Sequence, residues 1–479
     1  MTDRNLAKTL TRRDFLLRGT SGIGSIALAS LLKPDLLAEA ATTGGPFAPK
    51  PPHFAPRAKQ IIYLSMTGGP STIDLFDYKP ELKRLNGTAI PESFLEGRRF
   101  AFLRGVPNLL GPQYEFNQHG RCGAWVCDQL PHTAEIVNEI AFIKSMQTNE
   151  INHVPAELLL NTGSNRQGRP SMGSWVTYGL GSECSDLPAF VVLASGKAGR
   201  CGSSCWGSGF LPSMYQGVQF RAQGDPVLFL SNPPGMGEEL RRASLDTLRT
   251  LNQGALATYG DPEINTRIES FEMAYKMQTS VPDLMDISKE PESVHQLYGT
   301  EPGKVSFSNN CLLARRLIER GVRFVHVTHG GWDHHGGGDQ NLVTNLPERC
   351  KQVDQGGAAL VKDLKERGLL DSTLVIWGGE FGTTPMIQGE YTPENLGRDH
   401  LISAFTIWLA GGGIKKGFEL GKTDDLGMNV VEDPVHVHDL QATILHCLGL
   451  DHTKLTFRFQ GRDYRLTDVF GKVVEKVLA

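Results

Sequence analysis

Several things are scarce in this chain, and each scarcity excludes something. Eight cysteines in 479 residues are too few for a disulfide scaffold, and none stands in a Cys-x-x-Cys pair, so zinc-finger chemistry is excluded. Neither charge is in excess: 48 Lys and Arg face 52 Asp and Glu for a formal net charge of −4, which argues against a nucleic-acid binder. Long hydrophobic runs are missing too. The longest uncharged apolar stretch, 19–32, falls short of the ~18–20 residues of a membrane-spanning helix. No Gly-x-Ser-x-Gly elbow, Walker sequence or Gly-x-Gly-x-x-Gly turn follows a strand-like run, which removes the serine hydrolases and the common nucleotide folds. No internal repeat or low-complexity tract is present.

What remains is an ordinary globular composition, 40% hydrophobic and 21% charged. Glycine, at 54 residues, exceeds the ~7% typical of soluble chains and points to many turns and close backbone approaches. Cys201 and Cys205 flank Gly202-Ser203-Ser204 and could close a small disulfide, as could Cys122 and Cys127. At the N-terminus, Thr11-Arg12-Arg13-Asp14-Phe15-Leu16-Leu17 precedes the short apolar run and is similar to a twin-arginine export signal, with Ala38 and Ala40 suited to cleavage. A disordered basic arm or an uncleaved anchor is the alternative. Residues 1–40 carry six basic and four acidic side chains, so their removal leaves a mildly acidic body of net charge −6. The expected organisation is a signal over 1–40, a Pro- and Gly-rich linker over 41–58 and a body over 59–479.

Within the body, short apolar runs rich in β-branched residues occur at 60–66, 141–145, 189–193, 323–328, 373–377 and 404–410. Continuous runs of this kind suit a parallel sheet covered on both faces. Helical periodicity separates them at 155–161, 306–320, 345–367 and 439–448. The alternation predicts an α/β fold, a three-layer α/β/α sandwich with a mostly parallel central sheet. Two stretches break it: a loop-rich one near 87–131 and a polar helical one near 236–298, both expected as insertions outside the sheet.

Ligands of open α/β sheets bind beyond the carboxyl ends of the strands, and the polar clusters of this chain fall there. The run at 323–328 empties into His329-Gly330-Gly331-Trp332-Asp333-His334-His335, three histidines and an aspartate in seven positions. Alternation aims Asp333 and His335 at one point and sends His334 to the other side. Imidazole with carboxylate is the ligand mix of zinc, manganese or iron; a solvated or backbone-capping loop is the plainer reading. Glu380 follows the run at 373–377, and Arg398-Asp399-His400 precedes the one at 404–410. Arg398 could grip an anion bidentately or pair with Asp399. Trp206, Phe210, Tyr215 and Phe220, set among glycines, could line a sugar subsite or pack a loop.

Four segments together resemble the hallmarks of the exported family called domain of unknown function 1501: 68–77 (Gly-Gly-Pro-Ser-Thr-Ile-Asp-Leu-Phe-Asp), Gly331-Trp332-Asp333-His334-His335, Glu380-Phe381-Gly382-Thr383-Thr384-Pro385 and Gly397-Arg398-Asp399-His400. That family is similar to the alkaline phosphatase and sulfatase superfamily, which implies an alkaline phosphatase-like fold with one or two metals at the strand ends. His438-Asp439-Leu440-Gln441-Ala442-Thr443 is similar to a late sulfatase helix, and His400 to the last metal histidine of the phosphatases. The chain departs from that pattern at the nucleophile. His153-Val154-Pro155-Ala156-Glu157 keeps the proline, but His153 replaces the nucleophile and Glu157 the arginine, so formylglycine chemistry is not available. The first-strand metal aspartate would fall near Thr67, with Asp74 or Asp77 as substitutes from the same loop.

The resulting expectation is an exported, periplasmic or extracytoplasmic metal-dependent hydrolase of sulfate or phosphate esters, with an anionic glycan as one substrate class. Its divalent metal, with zinc, calcium and manganese as candidates, would be held by Asp333, His335, Glu380, Asp399 and His400. His153 would stand at the reaction centre, as a ligand ahead of a nucleophile and as a neutral ring at a helix N-terminus, and Arg398 would hold the anion. The competing expectation is a binding or scaffold protein of the same fold without catalysis.

Overall fold

The computed structural model describes residues 47–479 apart from positions 99, 197, 198, 222, 223 and 229. The segment expected to be a twin-arginine signal, with Ala38 and Ala40, lies outside the described residues. The sheet is built from β1 (Gln60–Thr67), β2 (Ile140–Gln147), β3 (Phe190–Ser195), β4 (Val218–Phe220), β5 (Phe324–Gly330), β6 (Thr373–Gly378), β7 (Phe405–Ala410), β8 (Phe418–Leu420) and β9 (Val435–His436). Their order is β8-β2-β7-β6-β1-β5-β3-β4, with β9 also pairing with β2. Only β7 runs against its neighbours; the other pairings in this sheet are parallel.

Side chains alternate across each strand, so both faces must be covered. On β1, Ile62, Leu64 and Met66 enter one core with residues of α5 (Phe307–Glu319) and α6 (Leu342–Glu366). Ile61 and Tyr63 enter the other, with α1 (His153–Thr162), α2 (Met172–Leu180) and α7 (Val437–Cys447). The result is the expected α/β/α sandwich. Side chains stop the helices from fraying: Ser306 caps α5 through the Asn309 amide, and Asn341 caps α6 through the amides of Val343 and Thr344.

The helical excursion forms α3 (Glu238–Tyr259) and α4 (Pro262–Met285), and α4 docks Met277, Val281 and Leu284 into the same core as α5. The loop-rich stretch contains a hairpin of Phe116–His119 with Ala124–Cys127 that stays out of the central sheet. The segment read as a linker is tied down where it is described. His53 donates its amide to Gly449, and Arg57 and Ala58 donate theirs to Cys447. Among the described residues, no helix is long and apolar enough to cross a membrane.

The reversed strand matters for the site. Parallel β1, β5 and β6 deliver their carboxyl ends, and hence Gly68, the 331–335 loop and Glu380, to one edge. Because β7 is antiparallel, the residues before it reach that same edge, and His400 is among them. The link from β2 to α1 brings His153 there as well.

Candidate metal centre

Four side chains converge at this edge. One nitrogen each from His153, His335 and His400 and one oxygen of Asp333 all lie within 4.8 Å of one another. Asp333 is the hub. Its Oδ1 is 2.7 Å from His335 Nε2 and 3.2 Å from His400 Nε2, and its Oδ2 is 3.2 Å from His153 Nε2. The close approach of the first strand's loop to this one requires glycine at position 68: φ is +123°, and a Cβ there would sit 2.7 Å from the Asp333 amide nitrogen.

The other ring nitrogen of every histidine is engaged. His153 Nδ1 is 2.8 Å from Glu380 Oε1, and His400 Nδ1 is 2.8 Å from the Ile151 carbonyl oxygen. His335 Nδ1 lies 2.5 Å from Gln388 Oε1. A carbonyl oxygen only accepts, as does a carboxylate, so each Nδ1 is the donor and a neutral ring keeps its Nε2 lone pair turned to Asp333. His153 Nε2 has no aligned hydrogen-bond partner although it is buried. Three Nε2 atoms converging on one carboxylate, with the remote nitrogens fixed by hydrogen bonds, is how metal-binding histidines are oriented.

Without a cation, protons take its place. Burial pushes the Asp333 carboxyl up, but His153, His335 and His400 outweigh it and hold it well below the usual carboxylate range. Burial would likewise lower His153, yet Asp333 and Glu380 raise it to about 9. His335 is raised in the same manner by Asp333 against its burial. The expectation of a neutral ring at a helix N-terminus is therefore corrected for the metal-free protein. A helix dipole is worth less than about 1 kcal/mol at most sites, and two adjacent carboxylates exceed it.

The other expected residues have different tasks. Glu380 stands behind His153, not among the ligands facing it, and accepts the Gly68 amide at 3.0 Å. It also forms a second group with His153 and Glu157 whose donor atoms lie within 4.8 Å. Burial and then the charge of Glu380 raise the Glu157 carboxyl to about 7. Asp399 is excluded from the cluster because its carboxylate is consumed: Oδ2 accepts the amides of Phe102 and Leu103 at 2.7 and 2.9 Å, and Oδ1 accepts the His400 amide at 2.8 Å. Arg398 is corrected as an anion holder. It is 1% exposed, pairs with both oxygens of Asp74 and not with Asp399, and gives its remaining donors to the carbonyls of Leu110, Gly111 and Thr384. Asp74 is thereby spent, and Asp77 pairs with Lys79, so neither joins the candidate metal cluster.

His334 is buried away from the cluster, as alternation requires, and burial lowers it to about 4. Cys201 and Cys205 form a disulfide, whereas Cys122 and Cys127 are free. The aromatic set packs instead of lining a subsite: Tyr215 and Phe220 are buried, and Phe210 stacks on Phe457 and Phe459. Three side chains of the site, Phe102, Gln388 and Arg200, carry no functional signal in the sequence; the nearest cue is the cysteine pair next to Arg200, whose Nη2 is 2.7 Å from Asp333 Oδ2. A cavity of about 370 Å³ opens over the cluster, lined by Phe102, His153, Arg200, Asp333, His335 and His400 among others.

Residues 58–478 match the model of a family described as "Protein of unknown function (DUF1501)". No curated protein matches the chain. Among solved structures, it is similar to a protein in the alkaline phosphatase superfamily from Vibrio parahaemolyticus, at 10% identity and a TM-score of 0.35, covering 85% of this chain and 70% of that one. The alkaline phosphatase from the Antarctic bacterium TAB5 is similar at 13% identity and a TM-score of 0.33, over 82% and 99% of the two chains. The PsFucS1 sulfatase from Pseudoalteromonas sp. is similar at 11% identity and a TM-score of 0.35, over 82% and 68%.

Proposed function

The chain belongs to the DUF1501 family, and from that premise we propose that it is a metal-dependent hydrolase of phosphate or sulfate esters, with His153, Asp333, His335 and His400 holding one divalent cation. The observation that carries this reading is the convergence of three Nε2 atoms on one carboxylate, one of them orphaned in a buried setting. Three nitrogens and one oxygen suit zinc, manganese or iron; calcium, which takes six to eight oxygens, is disfavoured. The cation would supply the positive charge that polarises an ester oxygen and activates water.

The chain's own residues do the rest. Glu380, Gln388 and the Ile151 carbonyl fix the tautomers, so the three rings present lone pairs without rearrangement. His153 acts as a ligand and not as a phosphoryl acceptor, because Nε2 is the atom turned to the cluster. Asp399 clips the Phe102 loop beside His335, where the Phe102 ring sits 5.0 Å from the imidazole in an edge-on contact and limits water on that side. The mouth of the cavity, with Phe102 and Arg200 exposed, accommodates an ester carried on a glycan. Export by the twin-arginine route belongs to the same reading. It is supported by Arg12-Arg13 ahead of the apolar run and by the Cys201–Cys205 disulfide, which persists in an oxidising compartment.

A second reading, a binding protein without turnover, is favoured by the internal use of Arg398 and by the absence of a hydroxyl or thiol at position 153. Metal analysis of protein purified without chelator tests the first reading, with expected values near one divalent ion per chain and loss of it in His400→Ala. Hydrolysis of aryl phosphates and aryl sulfates that disappears in the same variant separates the enzyme from the binder. A folded wild-type protein without stoichiometric metal refutes the assignment.

A further inference from the structure

Arg200 is built as if for a ligand. Its backbone is fixed from three sides. The Arg200 and Cys201 amides donate to the two oxygens of Glu157 at 3.1 and 2.8 Å, the Cys201–Cys205 disulfide closes the following turn, and Cys201 and Cys205 pack on Leu158 of α1. Gly199 lets this loop lie against the helix, since a Cβ there would meet Glu157 Oε2 at 2.9 Å and Thr67 Cγ2 at 3.2 Å. The side chain, by contrast, is 58% exposed and reaches over the cavity. An anchored base with an exposed guanidinium is the opposite of Arg398, whose donors are all spent inside the protein.

The guanidinium pairs with Asp333, the carboxylate at the centre of the candidate metal cluster, Nη2 lying 2.7 Å from Oδ2. It is also the one permanently charged cation among the described side chains that line the cavity. Alongside the three histidines, it places positive charge at Asp333 when no metal is bound. Once a divalent cation satisfies Asp333, the guanidinium is an excess positive charge, with unspent N–H donors in a planar fork that matches two oxygens of a tetrahedral oxyanion. Phe102, Asn152, His153 and Pro155 line the same cavity, so an anion beside the cluster has Arg200 as its permanently charged neighbour among the described lining residues.

We propose that Arg200 is the oxyanion receptor of this site, holding the phosphate or sulfate group of the substrate next to the metal cluster. This rests on the metal-site reading above. The test is titration calorimetry of metal-replete protein with inorganic phosphate and, separately, inorganic sulfate, with the metal content of every sample measured. The expected result is saturable binding of at least one of the two to wild type. Arg200→Ala should weaken it by about ten- to a hundredfold with metal content unchanged, and Arg200→Lys should recover only part, because an ammonium lacks the fork. The preferred anion identifies which ester class the site accepts. Equal affinity in wild type and Arg200→Ala, or no binding of either anion to metal-replete wild type, overturns the proposal while leaving the metal site standing. Wild type that retains no metal removes both.

Discussion

His153 and Glu380, 227 residues apart, share a 2.8 Å hydrogen bond from Nδ1 to Oε1 that leaves the histidine's other nitrogen facing Asp333. The carboxylate makes the ring more basic and fixes its tautomer. Glu380→Gln keeps an acceptor but removes the charge, so metal affinity should fall by about ten- to a hundredfold, as for other partners of metal-binding histidines. Competition with a chelating indicator measures it; unchanged affinity would mean that Glu380 serves only the Gly68 turn.

Metal uptake should release protons. In the metal-free protein, Asp333 and Glu380 overcome burial and raise His153 from 6.5 to about 9, so near pH 7.5 the ring still carries a proton that a cation must displace. The stabilisation from this raised value is complete below pH 6.5 and is lost as pH rises through about 9, so the metal-free melting temperature should fall across that window. Saturating metal should protect increasingly over the same range. Calorimetry in buffers of different ionisation enthalpy counts the protons, and His153→Ala should release about one fewer.

The Arg398–Asp74 pair is structural. Both side chains are fully enclosed, with Nε to Oδ2 at 2.8 Å and Nη2 to Oδ1 at 3.1 Å. Removing one partner strands a buried charge, so Asp74→Ala should destabilise by about 3–5 kcal/mol. Chemical denaturation reads this directly. Metal content of the folded fraction should stay at the wild-type level, an outcome that a ligand role for Asp74 would not allow.

Asp399 ties the Phe102 loop to the strand that carries His400. In Asp399→Ala the amides of Phe102 and Leu103 lose a charged acceptor worth about 1.5–3 kcal/mol, and their hydrogen exchange should accelerate by roughly tenfold or more. Exchange at the buried amides of β6 should not change. Unaltered exchange at residues 102 and 103 would show that the loop is held by its apolar contacts alone.

The six longer strands of the sheet and most of the long helices were legible in local pattern, whereas the short strands Val218–Phe220, Phe418–Leu420 and Val435–His436 were not. The apolar run at 60–66 became Gln60–Thr67 and the helical period at 306–320 became Phe307–Glu319, because burial on both faces and on one face imposes those periods on any chain. Asp333 and His335 were legible for a similarly local reason. They share one glycine-bounded loop, and alternation separates them from His334.

Strand direction was not legible, since an apolar run such as 404–410 reads the same in either orientation. Yet the reversal of β7 is what carries His400 to the edge where the candidate metal cluster lies. The choice among acids and arginines was equally tertiary. Nothing near Arg398 announces Asp74, 324 residues away, and nothing near Arg200 announces Asp333, 133 residues away. Side-chain chemistry and local spacing determined which residues could bind a metal or an anion. Only the fold, by burying some charges against partners and leaving others at a cavity, decided which of them remain free to do so.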